Sequence, residues 1–383
     1  MAKSMLDGVR ILDFTHVYFG PYTTMILGDM GAEVLKVEPP WGEISRLGST
    51  LYGGMSSVFH YLDRNKKGLA FNLKDPRALE IVKELAVKSD VVVENFKRGT
   101  MEKLGLGYEQ LKAVKPDIIY ASLSGFGIDG PYRDRTSFAP IAEAMSSWHR
   151  LTGDNINPDG PPIVPAEWHG DLDPGLFAVI AILGAIRYKE RMGVGQLIDV
   201  SQLDVMIAQT GVSITGYTLS GDLPWQARKK RIPSNAWGAY LTKEGKYVYV
   251  AADQNMNDRV KAATGIEELG EGDEVFKRWI QGKTSTEATE VLAAAGVPVA
   301  PVYQINETLE DPHVKARNSI IEIDHPTAGK VREPAHPIRY SETPATIRLP
   351  APQLGQHNDE VLKELLGYSQ AKCDELRAAG VIV

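Results

Sequence analysis

The heptapeptide "HGDLDPG", His169 to Gly175, sets two carboxylates two residues apart between glycines, just ahead of the apolar run "LFAVIAILGAI". Proline is favoured at the first position of a helix. Pro174 therefore predicts a helix start, with Asp173 as the N-cap accepting hydrogen bonds from orphan N–H groups. Asp171 then stands outside the cap. It follows Gly170, which tolerates unusual dihedrals and the close approach of a ligand, and it lies near the positive end of the helix dipole. An Asp171 kept ionised there could attack an activated acyl group; a plain loop acid is the equal alternative. His169 is one of eight histidines. Adjacent residues of an extended segment point to opposite sides, which weighs against a direct role for it. No H-E-x-x-H pair and no Cys/His cluster occurs, so a metal site has no support. No G-x-S-x-G occurs either, and a serine-hydrolase elbow is not indicated.

Cations cluster in two places. "DRNKKGLAFNLKDP" supplies Arg64, Lys66, Lys67 and Lys74, and "ENFKRGTMEK" supplies Lys97, Arg98 and Lys103. Each could simply belong to a solvated face, or a few of them could hold phosphates, which lysine does as a flexible point charge. Trp148, His149, Trp168 and Trp225 could shape an acyl pocket, although such rings more often pack.

The elements that must position these groups alternate. Strands are expected at 9–14, 32–38, 68–73, 90–96 and 117–124, and helices at 22–31, with Pro21 at the start, at 76–89 and near 108–115. Such alternation implies a mostly parallel sheet with helices on both faces. Its ligands bind beyond the C-terminal strand ends, here 15–21, 38–46, 94–100 and 124–132. None of these stretches carries a Walker loop. A helix ended by Gly193 and then a strand and a helix in "QLIDVSQLDVMIAQ" follow. The basic, proline-containing stretch 221–236 reads as a connection into a second unit. Residues 238–254 read as a hairpin around "KEG", and Asn358 or Asp359 could cap a helix near the C-terminal end.

A chain of 383 residues suggests two domains. The expected division is a large domain over 1–220 to which 325–383 returns, and a small domain over 221–324. A formal net charge of −7 argues against a nucleic-acid partner. One cysteine, Cys373, allows no internal disulfide, which fits a reducing compartment. With no signal-peptide pattern at the start and an apolar run too short to span a bilayer, a cytoplasmic location without a membrane is expected.

Taken in order, "LDGVRILDFTHVYFGPYTTMILGDMGAEVLKVEPPWGE", "DRNKKGLAFNLKDP", "VVVENFKRGTMEKLGLGYEQL", "PDIIYASLSGFGIDGPY", "GDLDPG", "GVPVAPVYQINETLEDPHV" and "APQLGQHNDEVLKEL" resemble the family III CoA-transferases, the group of formyl-CoA transferase and carnitine CoA-transferase. The resemblance implies an α/β fold: a Rossmann-like large domain with a parallel sheet, built from both ends of the chain, plus a smaller α+β domain, in an interlocked homodimer. It implies Asp171 as the nucleophile, and Val17, Tyr18, Phe71, Lys74, Asn95, Phe96, Lys97 and Lys103 around coenzyme A. Tyr18, Phe138 and Gly170 would line the substrate pocket. Coenzyme A would be a co-substrate, with no tightly bound cofactor and no metal. The partners would be an acyl-CoA and a small carboxylic acid.

The chain departs from formyl-CoA transferase at several places. Tyr18 stands for a glutamine, Phe138 for a tyrosine and Pro39 for an arginine, and the glycine-rich loop of the small domain has no counterpart. Formate and oxalate are therefore disfavoured, and a medium-sized or dicarboxylic acid is expected. The implied reaction passes through an aspartyl–acyl anhydride and an aspartyl-CoA thioester, with backbone N–H groups beside Gly170 and the helix start as oxyanion donors. Two alternatives stay open. One is an α-methylacyl-CoA racemase, which would carry a histidine shortly after "GPY" where 133–144 has none. The other is a non-catalytic CoA-binding subunit.

Overall fold

The structure, a computed structural model, describes residues 4–48, 50–229, 236–267 and 273–383. Six short, apolar segments pair in parallel into one sheet. They are β1 (Arg10–Asp13), β2 (Glu33–Glu38), β3 (Lys66–Ala70), β4 (Val91–Glu94), β5 (Ile119–Ser124) and β6 (Leu197–Ser201), in the spatial order β3-β2-β1-β4-β5-β6. This is the doubly wound order, and its direction reverses between β1 and β4. Ile11 and Leu12 show why the strands read as unbroken apolar runs. Ile11 packs on one face with Met25, Leu27 and Ile182, while Leu12 packs on the other with Ile81, Val82 and Leu85. Both faces are buried, as parallel sheets require.

The helices that matter to the site are α1 (Phe19–Asp29), α2 (Pro76–Val87), α3 (Ala139–Met145), α4 (Trp148–Ile156), α5 (His169–Met192) and α6 (Gln202–Gln209). Asp75 caps α2 by accepting from Arg77 N–H, and Gly193 ends α5 in the left-handed region at φ 72°. Three expectations shift. Helix α1 begins at Phe19, with Pro21 inside its first turn. The third strand begins at Lys66 rather than 68. Helix α5 spans 24 residues, long and apolar enough to cross a membrane by length and composition. Ala178, Val179, Ile182 and Ile186 on one side of it are nevertheless core residues.

Two compact units divide the chain, one of residues 1–221 with 319–383 and one of residues 222–318. The second has its own antiparallel sheet, in which Ala236–Leu241 and Tyr247–Ala252 form the expected hairpin and Val299–Pro301 adds to it. Its core gathers Tyr240, Val248, Phe276, Ile280 and Leu292. Of the stretch read as a connection, Pro224–Lys229 is helical, and 230–235 lies outside the described residues.

Residues 319–383 complete the first unit. Val361, Leu362, Leu376 and Ile382 enter the core under β1–β4, and Phe71 pairs with Ile382. Asn358 does not cap a helix. It is fully buried, accepts from Ala70 N–H at 2.9 Å and donates to Val383 C=O at 2.9 Å, while Asp359 pairs with Arg377. Asn358→Ala leaves the buried Ala70 N–H without a partner, at about 1–3 kcal/mol, and frees the C-terminal Val383 from its anchor. A drop in Tm of roughly 5–10 °C is expected in a thermal melt.

Candidate active site

The order reversal between β1 and β4 opens a crevice beyond their C-terminal ends. The chain leaving β1 is held there by the chain leaving β4: the Asn95 amide accepts from His16 N–H and donates to His16 C=O, both at 2.8 Å. Val17 follows with φ 69°, a left-handed conformation that is strained for a β-branched residue. Under this turn lies a sealed ion cluster, in which Lys66 Nζ sits 3.1 Å from Asp13 and 2.9 Å from Asp63, and Lys36 sits 3.5 Å from Asp63. Burial alone would raise the Asp13 carboxyl, but Lys66 and Lys36 hold it down at about 2. Burial and Lys36 likewise hold the His16 imidazole well below its usual range, so the ring is neutral.

Asp171 reaches this crevice from the opposite wall. It lies in the first turn of α5 and lines a cavity of about 220 Å³ together with Val17, Tyr18, Asn95, Phe96, Lys97 and Phe138. Its Oδ1 accepts from Gln202 Nε2 at 2.5 Å, and Ser137 Oγ fixes Gln202 from the other side at 3.0 Å. The side chain is nearly buried, and burial pushes its carboxyl up to about 7; Gln202 opposes this and Glu143 adds to it. Glu143 is itself fully buried. One of its oxygens accepts from Gly170 N–H at 2.8 Å and the other meets His149 Nε2 at 2.9 Å. A second cavity, of about 320 Å³, holds Phe71 and Lys74. His16 and Phe96 line both cavities, so an elongated ligand could run from Lys74 past His16 to Asp171.

Such a site places a desolvated carboxylate beside two adjoining cavities. Residues 6–358 match the model of "CoA-transferase family III". The chain belongs to that family. The transferase is 34% identical to succinyl-CoA:glutarate CoA-transferase of Mus musculus, covering 98% of this chain and 90% of that one. It is also 34% identical to succinyl-CoA–D-citramalate CoA-transferase of Chloroflexus aurantiacus, covering 98% of each. A solved CAIB/BAIF family protein from Brucella suis superposes with a TM-score of 0.82 at 29% identity, over 95% of this chain and 100% of that one.

Several details of the transferase differ from the sequence reading. Asp173 is not a cap, and Pro174 is the sixth residue of α5; Asp173 instead lies 3.6 Å from His169 Nδ1. Asp171 is within the helix, yet burial outweighs the dipole, so it is not a freely ionised acid. The expected oxyanion donors are occupied: Gly170 N–H by Glu143, and Asp171 and Leu172 N–H by Trp168 C=O. Lys103, in the short helix Thr100–Lys103, lines neither cavity. Trp148, His149, Trp168 and Trp225 line neither as well; Trp148 packs against His169 with ring centroids 5.6 Å apart. Arg64 and Lys66 are not surface cations. Both are fully buried and ion-paired, Arg64 with Asp29 at 2.7 Å. Gln202, Glu143 and His16 went unread. The signals for them were faint: a glutamine directly after a parallel strand, one acid in the alanine-rich "APIAEAM", and a histidine just past β1.

Proposed function

We propose that the transferase uses Asp171 as a covalent relay for coenzyme A. The observation that carries this reading is a nearly buried carboxylate, oriented by Gln202 at 2.5 Å, facing the turns after β1 and β4 across a cavity. Asp171 attacks the carbonyl carbon of the donor thioester, and the C–S bond breaks to give an aspartyl–acyl anhydride and CoA thiolate. The thiolate attacks the aspartyl carbonyl, forming an enzyme thioester and releasing the donor carboxylate. The acceptor carboxylate attacks that thioester and expels the thiolate, which then attacks the acceptor's acyl carbon and restores Asp171. Protons are conserved throughout, and covalent catalysis divides one difficult exchange into easier ones.

Each tetrahedral oxygen needs donors. With the α5 N–H groups committed, they come from the facing wall. The first N–H groups of α1 have no intrahelical partner, and Phe19 of that turn lines the cavity. Burial, then Glu167 and Asp171, raise the Tyr18 phenol above its ordinary value, so it stays a donor. Val17, Asn95, Phe96, Lys97, Phe71 and Lys74 accommodate the coenzyme, with Lys74 at the phosphate end. Phe138 bounds the acyl group, whereas Gly170, expected beside it, lines neither cavity and packs against Ala139 instead.

Dicarboxylic acids are the proposed donors and acceptors. The sequence departures at Tyr18 and Phe138 point that way, and so do the succinyl-CoA relatives. A homodimer is proposed from the apolar surface on α5 and the helix Gly211–Ser220, where Ile180 is 64%, Val212 89% and Leu219 83% exposed; patches of this kind mark interfaces. Sedimentation velocity tests it, and a monomer at micromolar concentration counts against it. The cytoplasm is the proposed location, since Cys373 is free.

The catalytic reading is tested by mixing the enzyme with succinyl-CoA and a panel of C4 to C6 dicarboxylates, trapping with hydroxylamine and mapping the adduct by mass spectrometry. A hydroxamate at Asp171 and acyl-CoA products for several diacids are expected. A trapped adduct elsewhere would reject Asp171 as the nucleophile.

A further inference from the structure

Helix α5 opens on a defect. Pro174 has no N–H to offer the Gly170 carbonyl four residues earlier, so the turn that carries Asp171 lacks one of its own hydrogen bonds. Trp168 C=O accepts from Asp171 and Leu172 N–H within the turn, and a further hold comes from outside. Glu143 of α3 accepts from Gly170 N–H at 2.8 Å, and His149 at the start of α4 meets the second Glu143 oxygen at 2.9 Å. Neither contact involves solvent, because Glu143 is fully buried and His149 is 9% exposed. No Lys or Arg pairs with Glu143 among the described residues.

We propose that Glu143, fixed by His149, is a positioning residue that pins the first turn of α5 through Gly170 and sets a second carboxyl group behind Asp171, making the nucleophile more reactive. This rests on the reading of Asp171 as the nucleophile. The charged and titratable groups around Asp171 are few. Gln202 of α6 is neutral. Tyr18, before α1, is a protonated phenol. Glu167 precedes α5, His169 and Asp173 on α5 lie against each other at 3.6 Å, and Lys97 after β4 and the neutral His16 after β1 line the same cavity as Asp171. Among these, Glu143 is the charge that raises the Asp171 carboxyl, secondary to burial and against the Gln202 hydrogen bond. Nucleophilicity rises with basicity by a Brønsted slope of roughly 0.5, the value known for thiolates.

Glu143→Gln separates charge from position. The amide oxygen still accepts from Gly170, and the His149 imidazole can change tautomer to accept from the amide nitrogen. A carbon-13 NMR titration of labelled aspartate, assigned with Asp171→Asn, reads the Asp171 midpoint without turnover. The midpoint is expected to fall by about 0.5–1 pH unit in E143Q. The acidic limb of the kcat profile should move down with it, and the alkaline plateau of kcat should fall about two- to threefold. An unmoved midpoint overturns the proposal, and so does a loss of kcat at every pH with the limb in place, which marks a purely structural role. His149→Gln keeps the Glu143 charge and is the second variant: its midpoint should stay or rise, and a fall overturns the proposal. If the unsubstituted enzyme transfers no CoA, the parent reading fails, while the NMR midpoint still decides this one.

Discussion

Asp171→Ala is expected to abolish CoA transfer, lowering kcat by at least about 10⁴-fold, the scale seen when a covalent nucleophile is removed. CoA affinity should hold, because the proposed coenzyme side of the crevice, the turns after β1 and β4 with Phe71 and Lys74, lies along cavity walls apart from the Asp171 carboxylate. Isothermal titration with CoA, beside single-turnover assays, checks both halves. Turnover within tenfold of the unsubstituted enzyme would reject the assignment. Asp171→Asn adds a second readout. Burial pushes the folded carboxyl up to about 7, well above the ordinary aspartate range. Stability is thus fully present at low pH and is lost as pH rises toward and through 7, because the unfolded chain ionises first. Asparagine cannot ionise and still accepts from Gln202. It should therefore leave Tm unchanged near pH 4 and raise it by several degrees at pH 8, corresponding to on the order of 2–4 kcal/mol.

The second large effect is expected at Gly170→Ala. The backbone there is not in the left-handed region, and alanine is by about 1 kcal/mol the better helix former, so local propensity favours the change. Packing forbids it. A Cβ would stand 2.4 Å from Ala139 O and 2.8 Å from Ala139 Cα, both backbone atoms that no rotamer can move aside. Overpacking of this kind costs about 1–3 kcal/mol. The Gly170–Glu143 hydrogen bond stretches with it, and a displacement of roughly 1 Å at the nucleophile costs about 10²-fold in kcat. The expected result is a folded protein with a lowered Tm and about a hundredfold loss of kcat at unchanged CoA affinity. Calorimetry and steady-state kinetics measure both. An active, equally stable G170A enzyme would show that α3 and α5 need not approach so closely.

How far the sequence could be read differs along the chain. The sheet was legible because both faces of each strand are covered, leaving near-continuous apolar runs that alternate with helices. The heptapeptide drew attention because acids bracketed by glycines stand before an apolar helix, but the residues alone left Asp171 evenly balanced between a nucleophile and a plain loop acid. What failed was the cap. Proline marks a helix start when nothing else holds the turn, but here Glu143, 27 residues earlier, carries α5 five residues further back. The charges misled for a related reason. Arg64 and Lys66 look like surface cations in "DRNKKG", and only the sheet order shows that Lys66 in β3 can meet Asp13 in β1 across β2. Pairings made through tertiary structure leave no local periodicity to find. Gln202 and Glu143 belong to the same class.

The discontinuous first unit has a consequence for how the protein is made. The face of the sheet under β1–β4 is closed by Val361, Leu362, Leu376 and Ile382, which emerge only after residues 222–318 have been synthesised as a unit with a separate interior. At 5–20 residues per second, the stretch from 222 to 381 takes roughly 10–30 s to leave the ribosome. For that interval the nascent sheet carries bare aliphatic side chains while the later segment is already able to collapse. Ribosome-bound chains stopped before residue 358 should therefore recruit holdase chaperones, and release of that load should coincide with arrival of the final helices.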